Sequence, residues 1–168
     1  MESIYLAGFD VFRTDAVEHG KSLKQICERY GFEGLYPLDN ALPPDLTGGE
    51  AARWIYEQNI GLIRDADFVV ANLNAFRGLE PDSGTAFEVG FAIALDKPVW
   101  GYLDSAQPIV DQVPHRRNDK GVAIDRDGFT VEDFGLPRNL MLACSSTLVV
   151  GNFEHCLRTI VETRDASH

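Results

Sequence analysis

Short β-branched or aromatic runs alternate along the chain with longer stretches whose apolar residues recur every three to four positions. "SIYLAG" (3–8) closes on a glycine and predicts a buried first strand. Over 14–30, Val17, Leu23, Ile26 and Cys27 keep largely helical spacing until "GF" interrupts it. A brief second strand is expected near Leu35 and Tyr36, then a Pro/Gly-rich loop, and helical periodicity returns over 50–65. "ADFVVANLN" (66–74) carries the strongest strand signal. "KPVWGYL" (97–103) and "STLVVG" (146–151) predict a fourth and a fifth strand, and "FEHCLRTIVETR" a closing helix. Parallel neighbours need a crossover that packs on the sheet, so this alternation implies βαβ units. The expected fold is α/β: a doubly wound, flavodoxin- or Rossmann-like five-stranded parallel sheet flanked by helices, one domain over 1–168. Ligands gather at the carboxyl ends of such strands, here the loops after residues 8, 36, 74 and 103. Residues 104–136 show no strong period, and a stretch of that length is expected to be a lid, a subunit contact or a disordered segment.

One helix breaks the usual pattern. "EPDSGTAFEVGFAIAL" (80–95) is apolar almost all round, which predicts burial, yet Glu88 stands in its middle as the only charged residue from Ser83 to Leu95. A buried carboxylate must be paired, protonated or put to use. One reading has Asp82 as the N-cap and Glu88 paired at the edge with a cation such as Arg77. The other holds Glu88 against a ligand, with Gly84 and Gly90 allowing close approach. Two carboxylates beside one reacting carbon suit glycosyl transfer, one attacking the anomeric centre and the other serving the leaving group. Asn59 falls in line with Ile55, Leu62 and Ile63 on the face expected to meet the sheet, where its amide needs partners in a strand end or a ligand. Tyr5 is either a core aromatic with its hydroxyl at the surface or a donor to the attacking carboxylate.

Composition narrows the classes. The 168 residues suffice for one sizeable core, and 15 Lys plus Arg against 26 Asp plus Glu give a formal charge of −11. That balance opposes nucleic acid and anionic membranes; even the densest basic stretch, "HRRNDK" (115–120), contains an Asp. Three cysteines without a CxxC pair fit a reducing cytoplasm, and no apolar run approaches a membrane span. His19, His115, His155 and His168 do not cluster at ligand spacing, so no metal is expected.

Taken together, "IYLAG" (4–8), "YPLDN" (36–40), "QNIGLIRDADFVVANL" (58–73), "EPDSGTAFEVGFAIALDKPV" (80–99) and "GLPRNLML" (135–142) resemble the nucleoside 2-deoxyribosyltransferase family, in order and over nearly the whole chain. The resemblance implies exchange of 2-deoxyribose between nucleobases with retained configuration, no cofactor, and a homo-oligomer whose sites lie at subunit contacts. By this resemblance Glu88 is the nucleophile that forms a deoxyribosyl ester, Tyr5 orients it, and Asp82 binds the base and shuttles its proton. Asn139 and Met141 match residues lent to a neighbouring subunit's site, and Phe12 and Gly84 complete the expected substrate-binding set with Asn59. The sequence departs from the pattern at Asn59, where many members carry an Asp, and at Ala41, where some carry a Gln. An amide cannot give a carboxylic proton, which moves acid/base work onto Asp82.

Three rivals share parts of this pattern. A deoxynucleoside 5'-monophosphate N-hydrolase would need phosphate donors in the first loop, where "AGFDVFR" offers Arg13 but also Asp10. A cytokinin-type phosphoribohydrolase would need paired glycines that are missing before "SGTAFE". A non-catalytic nucleoside or nucleotide sensor is favoured by Asn59 and disfavoured by the joint presence of Tyr5, Asp82 and Glu88.

Overall fold

Five parallel strands form the central sheet: β1 (Ser3–Ala7), β2 (Glu33–Leu35), β3 (Phe68–Asn72), β4 (Val99–Leu103) and, after two short strands described below, β7 (Thr147–Val150). The computed structural model describes residues 1–166. The order is β2-β1-β3-β4-β7, the flavodoxin-like order. Helices α1 (Ala16–Arg29) and α6 (Phe153–Asp165) cover one face, and α2 (Gly48–Asp65) and α3 (Ser83–Ala94) the other.

The strand period of two divides the core between these layers. Ile4, Leu6, Phe68 and Val70 point toward α1 and α6, where Leu23, Cys27, Leu157 and Ile160 meet them. Tyr5, Ala7, Val69 and Ala71 point the other way, into a cluster with Ile63, Val89 and Ala92. β3 is buried along its whole length, as a central parallel strand flanked on both sides must be.

Three expectations need correction. Val17 does not join the core; it sits on the outer side of α1, more than half exposed. α3 is not buried all round either: Thr85, Val89 and Ala92 face inward, while Phe87 is 50% exposed and Gly90 and Ile93 also face out. The helix keeps apolar residues on a face that the described residues leave partly open to solvent. Finally, of the three readings of 104–136 disorder is the one set aside, because the segment is organised. It contains helix α4 (Ile109–Gln112) and an antiparallel hairpin of β5 (His115–Arg117) and β6 (Ala123–Asp125), pinned by an Arg117–Asp133 ion pair. Its polar surface and short strands erase any period. The chain then passes through the short helix α5 (Leu140–Ala143) into β7.

Candidate active site

The sheet order reverses between β1 and β3, and the crevice at that reversal is where open α/β sheets take ligands. Tyr5 rises from β1, fully buried, and donates its hydroxyl to Glu88 Oε1 on α3 at 2.6 Å. The two residues lie 83 positions apart in sequence. Only the fold brings them together.

Asp82 caps α3. Its Oδ2 accepts from the Thr85 backbone N–H at 3.0 Å and from Thr85 Oγ1 at 3.2 Å, satisfying an orphan donor of the first turn. A Cβ on Gly84 would come within 3.0 Å of that oxygen, so the close approach the glycine permits is to Asp82 itself. Gly90, by contrast, faces open space.

The carboxylates are not equivalent. Burial pushes Glu88 up to about 7, against the Tyr5 hydrogen bond, which lowers it, and with the Asp82 charge, which raises it further. The Tyr5 hydroxyl is held well above the usual phenol range by its own burial, then by the neighbouring Glu88 charge and the bond to it. Tyr5 therefore stays a donor, and Glu88 ionises near neutrality.

Arg77 does not pair with Glu88. Its guanidinium lies 4.6 Å over the Phe76 ring and 5.1 Å over Phe12, in a left-handed backbone conformation with φ 54°. Phe76 in turn stacks on Phe9 at 4.8 Å and on Phe12 at 5.3 Å, nearly parallel to both. These rings join the loops after β1 and β3, and the second loop runs through a Phe76 N–H to Glu80 carbonyl bond directly into Asp82. Phe12 remains half-exposed, with Phe76 stacked on its ring and the Arg77 guanidinium over it.

The family model for nucleoside 2-deoxyribosyltransferase matches residues 4–141. The chain belongs to that family. A 2-deoxyribosyltransferase from Leishmania mexicana has a similar structure, with a TM-score of 0.77 and 34% identity over 96% of this chain and 98% of its own. A 2-deoxyribosyltransferase from Bacillus psychrosaccharolyticus aligns with a TM-score of 0.52 and 25% identity over 64% of this chain and 76% of its own. An uncharacterised protein of Schizosaccharomyces pombe is 30% identical over 155 residues, 82% of this chain and 74% of that protein. Family and fold together support nucleoside 2-deoxyribosyltransferase-like chemistry, in an enzyme that transfers or hydrolyses a glycosyl bond.

The remaining expected residues of this deoxyribosyltransferase-family chain are spread more widely. Asn59 lies on α2, with Ile60 and Ile63 buried beside it, although Ile55 of the same stripe is 40% exposed. Its Oδ1 is sealed from solvent with no hydrogen-bond partner among the described residues. Asn139 caps α5 through its Oδ1, which accepts from the Met141 N–H at 3.0 Å, and its Nδ2 donates to Glu132 at 2.5 Å. Met141 points outward, 72% exposed. Within one chain neither side chain is hydrogen-bonded to Tyr5, Asp82 or Glu88.

Some neighbours of the site were not legible in the sequence. Glu132 clamps the Asn139 turn with both oxygens, the second accepting from Leu140 N–H at 3.0 Å. Arg138, 4% exposed, donates to the Leu73 carbonyl at the end of β3 and to Gln112 of α4. On the α1 side of the sheet Asp10 is held by His19 and by Asn72 Nδ2, each at 2.9 Å, and Gly8 leaves room for it. Each is a single polar residue, in a strand, a helix or a connecting segment, with no spacing that links it to the others in sequence. Among the described residues no three His, Cys, Asp or Glu side chains are grouped to hold a metal, and none of the helices is long and apolar enough to cross a membrane; His168 lies outside the described residues.

Proposed function

We propose that this protein transfers 2-deoxyribose between nucleobases by a retaining double displacement through Glu88. The observation that carries the reading is the 2.6 Å bond from the buried Tyr5 hydroxyl to the Glu88 carboxylate, with Asp82 one and a half turns away at the cap of the same helix. In the first step Glu88 attacks C1' of a 2'-deoxyribonucleoside. The N-glycosidic bond breaks, its electron pair leaves with the base, and the base takes a proton by way of Asp82. In the second step a ring nitrogen of the incoming base attacks C1', its proton passes to Asp82, and the Glu88 carboxylate departs. Two inversions return the original configuration.

Electrostatics suits this cycle. Tyr5 donates to the oxygen that must carry charge before attack and after release, while burial keeps the carboxylate reactive rather than hydrated. A 5'-phosphate is less welcome: the first loop holds Asp10, and Arg13 is paired with Asp15 at 2.8 Å. That favours nucleosides over nucleotides.

The reading includes a homo-oligomer. Phe87, Ile93, Leu95 and Tyr56 leave an apolar face on α2 and α3, continuous with Met141, and such contiguous patches are ordinarily covered. A second copy seated there brings Asn139 and Met141 toward its partner's Glu88.

The test is base exchange. With 2'-deoxyinosine or thymidine plus excess adenine or cytosine, chromatography should find a new deoxynucleoside made from the added base, and a Glu88→Ala control should make none. Free base and deoxyribose as the only products would point to a hydrolase instead.

A further inference from the structure

The Asn139 amide is held from both ends by its own chain. Its Oδ1 accepts from the Met141 N–H at 3.0 Å, and its Nδ2 donates to Glu132 Oε1 at 2.5 Å. Glu132 Oε2 accepts from the Leu140 N–H at 3.0 Å, so one carboxylate ties the side chain and the backbone of the same turn. The backbone is pinned on the other side as well. Arg138, buried, donates through Nε to the Leu73 carbonyl at the end of β3 and through Nη1 to Gln112. Glu132 and Asn139 line a cavity of about 220 Å³ together with Glu80, which stands two residues before Asp82. The second hydrogen of Asn139 Nδ2 has no partner among the described residues.

We infer that Glu132 is a positioning residue that fixes which way the Asn139 amide faces, so that Asn139 meets the substrate's sugar as a hydrogen-bond donor only. This rests on the transferase reading only in taking the sugar to lie against Asn139. The two neighbours decide the orientation. A backbone N–H can only donate and an ionised carboxylate can only accept, so a flipped amide would set N–H against N–H at Met141 and oxygen against oxygen at Glu132. The amide oxygen is therefore used by the cap of α5, and one N–H is left for a ligand. That N–H needs an acceptor, which on a 2-deoxyribose is a lone pair of a hydroxyl or of the ring oxygen. Without the carboxylate the half-buried amide is fixed at one end alone, and ordering it weakens binding.

Reversing one hydrogen bond tests this. In the double variant Glu132→Gln, Asn139→Asp the bond between the two side chains is kept with its direction inverted. The acceptors for the Met141 and Leu140 N–H groups are kept too, and only the unpartnered N–H is lost. Each single variant instead opposes like groups: two carboxylates in Asn139→Asp, and in Glu132→Gln an N–H facing another N–H. 2'-Deoxyinosine and thymidine are titrated calorimetrically against these variants in a Glu88→Ala background. Urea unfolding at pH 8 reports the turn, and base exchange by the wild type is followed in parallel. Both single variants should bind about fivefold or more weaker than the parent. The double variant should return to the parent's urea midpoint yet bind as weakly as Asn139→Asp. In an Asn139→Ala background, which serves even where Asn139→Asp does not fold, Glu132→Gln should weaken binding no further. Affinity restored in the double variant, unchanged affinity in Glu132→Gln, or an undiminished loss in the Asn139→Ala background would each overturn the inference, while exchange by the wild type still upholds the transferase reading. The expected pattern of affinities in a protein without exchange activity would sink the transferase reading and leave the positioning role standing. Failure of both nucleosides to bind the parent would overturn both.

Discussion

In the proposed reaction the Glu88 carboxylate must be charged to attack, yet it sits where burial makes charge costly, and the Tyr5 hydroxyl offsets that cost. With Glu88 pushed up to about 7, kcat/KM should rise with pH toward a plateau reached just above neutrality, the ionised form being the nucleophile. Tyr5→Phe removes the contribution that lowers Glu88, so the midpoint of that profile should move to higher pH and the plateau drop about tenfold or more; an unmoved midpoint would exclude Tyr5 from tuning Glu88. Stability carries the same signature. The native state binds more protons than the unfolded chain between the ordinary value of 4.5 and about 7, so stability falls as pH rises through that window and levels off above it. Glu88→Gln escapes this. It should be the more stable protein at pH 8, by roughly 3 kcal/mol, with the advantage gone near pH 4, as read from urea unfolding at both values. Glu88 was legible as a lone charge in an apolar helix, whereas its partner Tyr5 was legible only as one of two readings and through the family resemblance. Tyr5 sits 83 residues away, and only the parallel pairing of β1 with β3 brings them within hydrogen-bonding distance.

At the scale of the element, Asp82 caps α3, and the proposed reaction gives it a chemical task as well. The cap and the charge can be separated. Asn caps about as well as Asp, so Asp82→Asn should unfold within about 0.5 kcal/mol of the parent while losing on the order of a hundredfold in exchange rate. Asp82→Ala should lose both, with about 1 kcal/mol from the missing cap. Equal losses of rate and stability in the two variants would reduce Asp82 to a cap. The strands and helices were legible because their periods differ, and each expected element exists near its expected bounds. What the period could not say is which apolar side of α3 faces the sheet. Composition alone makes Phe87 and Val89 look alike, and only packing against β3 separates them. The 104–136 segment was illegible for a different reason: strands of three residues, all exposed in β5 and with only Ala123 buried in β6, have too few apolar positions to set a pattern.

For the whole molecule, the open apolar face and the distribution of the site point to the same arrangement. Tyr5, Asp82 and Glu88 converge within one chain, while Asn139 and Met141 stand on the turn before β7, Met141 facing outward. If sites are shared between copies, mixing Asn139→Ala with Glu88→Ala subunits should restore a measurable part of the activity that each lacks alone. Hybrids with no recovery would confine the site to one chain. Phe87→Asp, which puts a charge on the exposed face, should shift the protein to a smaller species by analytical ultracentrifugation.

The central claim is a covalent bond at one carboxylate, so the most direct measurement is to find it. Protein quenched in acid during turnover of a 2'-deoxyribonucleoside, then digested and analysed by mass spectrometry, should yield the peptide containing Glu88 heavier by one 2-deoxyribosyl group, and the Glu88→Ala protein should yield none. Exchange that proceeds without such an adduct, or with the sugar on another residue, would contradict the account.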